Sequence, residues 1–323
     1  MKRKGACQHR RMRMKRKTIF AAALLCIMLC VPLSLFGQDF VMRETVLVGY
    51  NGSAEDVIIP EGVTAIGYRA FYDNANLTSV TMPSKITSIG EDVFAGCSSL
   101  TSINVNSQNS AYSSLEGVLF NKNRTVLMLY PQGKQSRNYI IPSSVITIEK
   151  YAFSECSSLT SITIPSSVNS IKQYAFAGCS GLTSVSIPSS ITSIGEGTFT
   201  YCTSLTSVTI PSSVTYIGDG AFAFCNSLTS VTIPSRVTSI EYMAFAYCTS
   251  LTNVTIPSSV SSIGIFAFTG CTSLTSVTIP SSVTSIEDSA FAECTNLRTV
   301  TVSRKTTIGK GAFPDTAQIT YSD

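Results

Sequence analysis

The 323-residue chain contains no tryptophan and a single histidine, His9, which lies in a basic N-terminal segment. General acid–base catalysis at neutral pH most often uses histidine, so Ser-His and Cys-His nucleophile pairs are excluded from residues 38–323. The acid pairs Glu91-Asp92 and Glu287-Asp288 fall in variable loops, where solvated charges are the simplest explanation. No glycine-rich phosphate loop with the required spacing occurs. These absences predict a protein that is not an enzyme and needs no cofactor.

Residues 1–37 differ in composition from the rest of the chain. Nine Lys and Arg residues without an acid form the head of this segment, and an apolar run follows at 19–31. A basic head, a short apolar core and a small residue at the end are typical of a secretory signal peptide, with cleavage expected after Gly37. Translation from Met14 would give a signal peptide with a shorter basic head, Lys15-Arg16-Lys17. The alternative is an uncleaved anchor over residues 19–37, at the low end of spanning length.

Removal of residues 1–37 reverses the net charge. The chain has 23 Lys and Arg residues, and without the nine in the signal segment 14 remain against all 19 acids. Residues 38–323 therefore carry about −5, which gives no counterion-release drive for binding nucleic acid. We expect no nucleic-acid partner, and membrane contact only through the signal segment if it stays uncleaved.

A 23-residue repeat dominates residues 38–323. An Ile-Pro pair recurs at this spacing, and a phenylalanine recurs in phase, followed three residues later by cysteine. In one copy, the alternating polar and β-branched residues 207–210 stop at Pro211, which predicts a short strand. The return at 218–225 has room for one helical turn at most. One repeat buries too little apolar surface to offset the entropy of ordering its backbone, so neighbouring repeats must stack.

One interval breaks the period. A unit at about 106–141, 36 residues long, lacks the Phe-x-x-Cys pattern. Inside it, the apolar stretches 117–120 and 125–130 flank the polar residues 121–124. This pattern predicts a β-hairpin inserted into the stack.

The pattern Leu-x-x-Val-x-Ile-Pro-x-x-Val-x-x-Ile-x-x-x-Ala-Phe-x-x-Cys, which recurs from residue 57 to about 319, resembles the BspA-like, Treponema-type leucine-rich repeats. The resemblance implies an α/β-class solenoid that is mostly β: a right-handed superhelix of 23-residue repeats with short strands, minimal helical returns and one inserted hairpin. It also implies bacterial or protist surface proteins, some of which bind host matrix proteins such as fibronectin. The matching residues are core residues, so they do not locate a binding site.

Eight cysteines follow residue 37, and an even number in an exported protein is compatible with disulfides. Stacking brings neighbouring Cα atoms within bridging range, but parallel side chains hold the Cβ atoms slightly too far apart. The hairpin unit also separates Cys97 from Cys156 and leaves seven contiguous cysteines. We expect no disulfide but buried free thiols that bond to loop backbone. Ligands spaced 23 residues apart cannot surround one metal ion, so no metal site is expected.

The first candidate binding surface, called the hydroxyl face below, consists of the polar residues that point outward from successive strands. Such a face is often the recognition surface of a solenoid, although Thr also favours strands and keeps a sheet soluble. The hydroxyl face comprises Ser161, Thr163, Ser184, Ser186, Ser207, Thr209, Ser230, Thr232, Asn253, Thr255, Ser276 and Thr278.

The second candidate, called the aromatic stripe, consists of Tyr201, Phe224 and Tyr247, which precede cysteine in three successive repeats. These rings either anchor a partner or are partly buried against the next coil. The sequence thus predicts an exported surface or secreted adhesion protein that recognises a host matrix protein or a glycan. The alternatives are a structural scaffold of the cell envelope and, more remotely, a polysaccharide-active enzyme.

Overall fold

The computed structural model describes residues 39–322, so the predicted signal peptide lies outside the described residues. Within this range there is no helix, and hence none long and apolar enough to cross a membrane. The first fourteen strands are β1 (Phe40–Arg43), β2 (Val46–Tyr50), β3 (Asp56–Ile58), β4 (Ala65–Ile66), β5 (Ser79–Met82), β6 (Ser88–Ile89), β7 (Ser102–Val105), β8 (Tyr112–Leu115), β9 (Val118–Asn121), β10 (Val126–Leu129), β11 (Asn138–Ile140), β12 (Thr147–Ile148), β13 (Ser161–Thr163) and β14 (Ser170–Ile171). The other strands are β15 (Ser184–Ser186), β16 (Ser193–Ile194), β17 (Ser207–Thr209), β18 (Tyr216–Ile217), β19 (Ser230–Thr232), β20 (Ser239–Ile240), β21 (Asn253–Thr255), β22 (Ser262–Ile263), β23 (Ser276–Thr278), β24 (Ser285–Ile286), β25 (Thr299–Ser303), β26 (Thr307–Ile308) and β27 (Gln318–Ser322).

Two parallel ladders run along the stack, one built from the longer strands and one from the two-residue strands. In the first ladder, residues 23 positions apart pair directly, as Val185 does with Val208. In the second, Ile194 pairs with Ile217 in the same register. The stacking of equivalent residues over about twelve coils confirms the predicted solenoid. The second ladder was not predicted, because two residues are too few to show the alternation that identifies a strand.

The core contains a column of phenylalanine rings, one per coil. From Phe153 to Phe291, successive ring centroids lie 5.0–5.4 Å apart and the ring planes differ by 3–13°. All seven of these side chains are fully buried. Aromatic pairs at such distances contribute about 0.5–1.5 kcal/mol beyond the burial of their area. The column therefore ties each coil to the next.

In the described residues, the return of each coil consists of turns and contains no helix. Its Ala-Phe pair is flanked by two residues with positive φ, as Ala221-Phe222 is by Gly220 (φ 56°) and Phe224 (φ 60°). This backbone directs amide groups along the stack, so that the N–H of Phe199 donates to the carbonyl oxygen of Ala221, 2.8 Å away in the next coil. The sequence allowed one helical turn at most in each return. The structure has turns there, because the backbone amide groups bond to the neighbouring coil and not within a helix.

A column of cysteines lies beside the phenylalanines. Each described cysteine donates its Sγ–H to the backbone carbonyl of the aromatic residue one coil earlier, as Cys225 does to Phe199 at 3.2 Å. All eight are buried free thiols in the structure. Burial raises the pKa of Cys202 and of Cys248 to about 12. These thiols therefore stay protonated at neutral pH.

The hairpin unit interrupts the regular stack. Strands β9 and β10 pair antiparallel, as predicted, and β8 pairs with the other edge of β9. Alternate side chains of β9 enter different cores, since Leu119 packs in the N-terminal core while Val118 and Phe120 pack in the C-terminal core. Tyr130 takes the place of the missing phenylalanine and stacks on Phe153 at 5.3 Å. Strand β9 therefore divides the interior of the solenoid into two parts.

Candidate binding surfaces

All twelve residues of the hydroxyl face are exposed. The parallel register stacks them in two rows, as in the pairs Ser184–Ser207 and Ser186–Thr209. In the described part of the chain, Ser161 is the one member whose side chain hydrogen-bonds to another residue, the Oδ1 atom of Asn138 at 2.7 Å. The hydroxyl face therefore offers hydrogen-bond donors and acceptors, without charge and without an aromatic ring.

Other serines and threonines hold the solenoid together. The Oγ1 hydroxyl of Thr206 donates to the carbonyl of Thr183 at 3.0 Å, and the Oγ hydroxyl of Ser213 donates to the carbonyl of Ile191 at 2.6 Å. Equivalent bonds recur along the chain. Sequence reasoning missed both columns, because composition does not show which hydroxyl meets a backbone carbonyl. Apart from Ser161, the members of the hydroxyl face take no part in these columns and keep their hydroxyl or amide groups for solvent or a partner.

The aromatic stripe forms a second stack, on the surface of the returns. The centroids of Tyr201 and Phe224 lie 4.4 Å apart, those of Phe224 and Tyr247 lie 5.0 Å apart, and the planes differ by 2° and 8°. Tyr201 is 52% exposed and the other two rings are partly exposed. Neighbouring rings cover both faces of Phe224 and one face of each tyrosine, so the stripe presents ring edges, tyrosine hydroxyls and the outer tyrosine faces.

The backbone at the stripe is unfavourable for large side chains. Tyr201, Phe224 and Tyr247 have φ angles of 58°, 60° and 57°, a left-handed conformation that costs a non-glycine residue on the order of 1 kcal/mol. The coils on either side carry Gly178 and Gly270 at the same repeat position. The fold therefore does not require a ring there. Sequence reasoning missed this strain, although the exchange of glycine and aromatic residues at one repeat position was a usable signal.

Carboxylates border the stripe at both ends. The ring of Tyr247 extends over Gly270, which has no Cβ to obstruct it. The negative charge of Glu293, in the same column, raises the pKa of the Tyr247 phenol. At the other end, the Glu155 carboxylate lies over Gly178. A partner that covers the stripe would thus meet an acidic group on each side.

A cleft of about 420 Å³ lies beside the hairpin unit, between the returns that carry Phe94 and Phe153. The sequence did not predict this cleft, because it arises where the return side of the stack is interrupted. Among residues 39–322, no group of three or more His, Cys, Asp or Glu side chains is arranged to hold a metal ion.

Comparison with known proteins gives a consistent result. The family model for the BspA type leucine-rich repeat region, with six copies, matches residues 50–126, 132–249 and 217–323. Among curated proteins, no match is found. A leucine-rich repeat protein from Eubacterium ventriosum is similar in structure, with a TM-score of 0.61 and 30% identity over 83% of this chain and 66% of that one. The chain thus spans just under two thirds of that protein.

The pneumococcal vaccine antigen PcpA is also similar, with a TM-score of 0.54 and 21% identity. The similarity covers 80% of this chain and 68% of PcpA. At this identity it supports the solenoid fold alone.

Proposed function

The chain belongs to the BspA-type leucine-rich repeat family, and from this premise we propose that it is an exported protein that binds a macromolecular partner outside the cell through its repeat surface. The signal-like segment 1–37 supports export. Absence of catalysis is part of the proposal, supported by the lack of histidine after residue 37. A scaffold of the cell envelope is the alternative, in which the partner is a second copy of the chain.

The aromatic stripe carries the proposal. Tyr201, Phe224 and Tyr247 occupy strained positions that glycine fills in the coils on either side. Stacking of the rings offsets part of the strain, but the buried column two residues earlier already ties these coils together. Accessible aromatic residues are the commonest anchors of protein interfaces. We therefore place the contact with the partner at the stripe.

A protein partner fits the stripe better than a glycan. Recognition of a sugar ring by an aromatic side chain uses the ring face, and stacking covers four of the six ring faces of the stripe. Ring edges and tyrosine hydroxyls instead suit the apolar and carbonyl groups of a protein surface. The carboxylates of Glu155 and Glu293 add a preference for basic groups. The partner we propose is thus a host matrix protein with an apolar patch flanked by Lys or Arg.

The experiment is a binding screen with the chain lacking residues 1–37 on arrays of extracellular matrix proteins and of glycans. We expect saturable binding to at least one protein, weakened by salt. Binding to glycans alone would show that the partner is a glycan, and would refute the proposal that the ring edges of the stripe bind a protein. Self-association without any heterologous binding would favour the scaffold, and turnover of polysaccharides would show an enzyme.

A further inference from the structure

The cleft beside the hairpin unit separates two returns that would otherwise bond to each other. Strand β9 enters between the two cores on the strand side, with Leu119 on one side and Phe120 on the other. On the return side, the walls are the turn 89–97, before the unit, and residues 149–151 and 154–155, after it. The regular contact between successive returns is lost at this point, which leaves the cleft of about 420 Å³.

Two backbone amide groups on one wall of the cleft lack the hydrogen-bond acceptors that the equivalent amides of the preceding coil have. In the preceding coil, the N–H of Phe71 donates to the carbonyl of Val93 at 3.0 Å and the N–H of Asp73 donates to that of Ala95 at 2.8 Å. The corresponding amides of Phe94 and Gly96 have no protein acceptor within the described range 39–322. Gly96 keeps the positive φ of this repeat position, 77°, so both N–H groups point toward the next coil and into the cleft.

The floor of the cleft is apolar. Leu119, Met128 and Leu129 line it, together with Phe94. Phe94 stacks on Phe71 at 5.4 Å on one side, and in the described residues no ring stacks on its other side. The floor can therefore receive an apolar side chain in a position where the regular coils have protein contacts.

The rim of the cleft carries more acids than bases. Glu91, Asp92, Glu149 and Glu155 face Arg69 and Lys150. Arg69 is engaged with Asp92, 3.5 Å away. Burial raises the pKa of Glu155. A cationic group placed beside Glu149 and Glu155 would gain a favourable charge interaction.

We propose that the cleft binds an extended peptide segment of a partner protein, which takes the place of the missing rung. Two of its backbone carbonyls accept hydrogen bonds from the N–H groups of Phe94 and Gly96, in the manner of a strand added to an open edge. One apolar side chain enters the floor, and a flanking Lys or Arg pairs with Glu149 and Glu155. This site shares Glu155 with one end of the aromatic stripe. Its other residues differ from those of the stripe, and the variants below test it without reference to binding at the stripe.

A random octapeptide library displayed on phage tests the proposal, with the chain lacking residues 1–37 as bait. We expect enrichment of sequences with an apolar residue next to Lys or Arg. A synthetic peptide of the enriched sequence should slow amide hydrogen exchange at Phe94 and Gly96, since both N–H groups become hydrogen-bonded. Failure to enrich any sequence, enrichment of acidic sequences, or unchanged exchange at both amides would overturn the proposal.

Variants at matched repeat positions locate the binding. Ala95→Phe fills the cleft and should abolish binding of the peptide, whereas Ala292→Phe, at the same repeat position in a regular coil, should leave the dissociation constant unchanged. Glu149→Gln should weaken binding by about threefold to tenfold, and its counterpart Glu287→Gln should have no effect. Circular dichroism checks that each variant folds. Wild-type affinity in Ala95→Phe and Glu149→Gln would refute the site, and loss of binding in Tyr201→Ser/Tyr247→Ser would place the peptide on the stripe instead.

Discussion

Replacement of two phenylalanines in one coil separates the roles of the two aromatic stacks. Phe222 is fully buried, and its ring lies 5.4 Å from Phe199 and 5.4 Å from Phe245. Phe224, two residues later, is only partly buried, although its ring is also flanked on both sides. The two residues have the same chemistry and lie in the same turn, so each is the control for the other.

The expected costs differ because the surroundings differ. Phe222→Ala leaves a cavity in a closed core, and such truncations reduce the free energy of unfolding by about 3–5 kcal/mol. Phe224→Ala opens no closed cavity and loses two stacking contacts, worth about 1–2 kcal/mol together at a site with partial exposure. Alanine keeps a Cβ, so the cost of the positive φ at residue 224 is unchanged between the two proteins.

Urea denaturation followed by far-UV circular dichroism measures both changes in the free energy of unfolding. A constant denaturant dependence would show that the variants unfold with the same exposure of surface. Phe222→Leu, which keeps most of the apolar volume, should recover more than half of the loss. Equal destabilisation by Phe222→Ala and Phe224→Ala, or a larger effect of Phe224→Ala, would refute the division into a structural column and a surface stripe.

Three further predictions concern the cysteines and the hairpin unit. In the folded chain lacking residues 1–37, a thiol reagent at about pH 8 should find almost no reactive cysteine, and in urea without reductant it should find all eight; a shortfall in urea would reveal disulfides. Burial raises the pKa of Cys202 and Cys248 from 9.0 to about 12. The unfolded chain loses these protons first, so their contribution to stability is complete below about pH 9 and declines as the pH rises toward 12. The loss is at most about 1.4 kcal/mol per pH unit for each thiol, and urea midpoints that stay flat above pH 9 would contradict it. Asn109 is fully buried and its side chain makes four hydrogen bonds, with the carbonyls of Pro83 and Ile86 and the amides of residues 111 and 112. Asn109→Ala should therefore lower the free energy of unfolding by about 2–4 kcal/mol, and a thermal midpoint equal to that of the wild type would show that these bonds contribute nothing.

The repeat period made most of the fold predictable. Residues 23 apart in the sequence lie one above the other, and the recurring phenylalanine marked the buried column without reference to a structure. The inserted hairpin was also predictable, because two apolar stretches flank a short polar turn. The period could not show that β8 joins the hairpin, since Tyr112–Leu115 has two serines and little apolar character. Tyr130 lies 23 residues before Phe153, in phase with the phenylalanine column, but the absence of the Phe-x-x-Cys pattern there concealed that it replaces a phenylalanine.

The candidate sites were only partly predictable. Outward-facing positions follow from strand alternation, and all members of the hydroxyl face are exposed. The positive φ angles at the aromatic stripe depend on how a return bonds to its neighbour, which no local propensity reports. The cleft forms because segments far apart in sequence do not touch. Phe94 and Tyr151, for example, line opposite sides of it. Such a feature has no signature in either segment alone.

The most direct test of the recognition role is the affinity of a partner from the matrix-protein array for the wild type and for Tyr201→Ser/Tyr247→Ser. Glycine occupies the equivalent positions 178 and 270, so the variant should fold, with a free energy of unfolding lowered by about 1–2 kcal/mol because the two stacking contacts with Phe224 are lost. If the stripe anchors the partner, the dissociation constant should rise at least about tenfold, as for the loss of aromatic hot spots. Equal affinity of the two folded proteins would contradict the account.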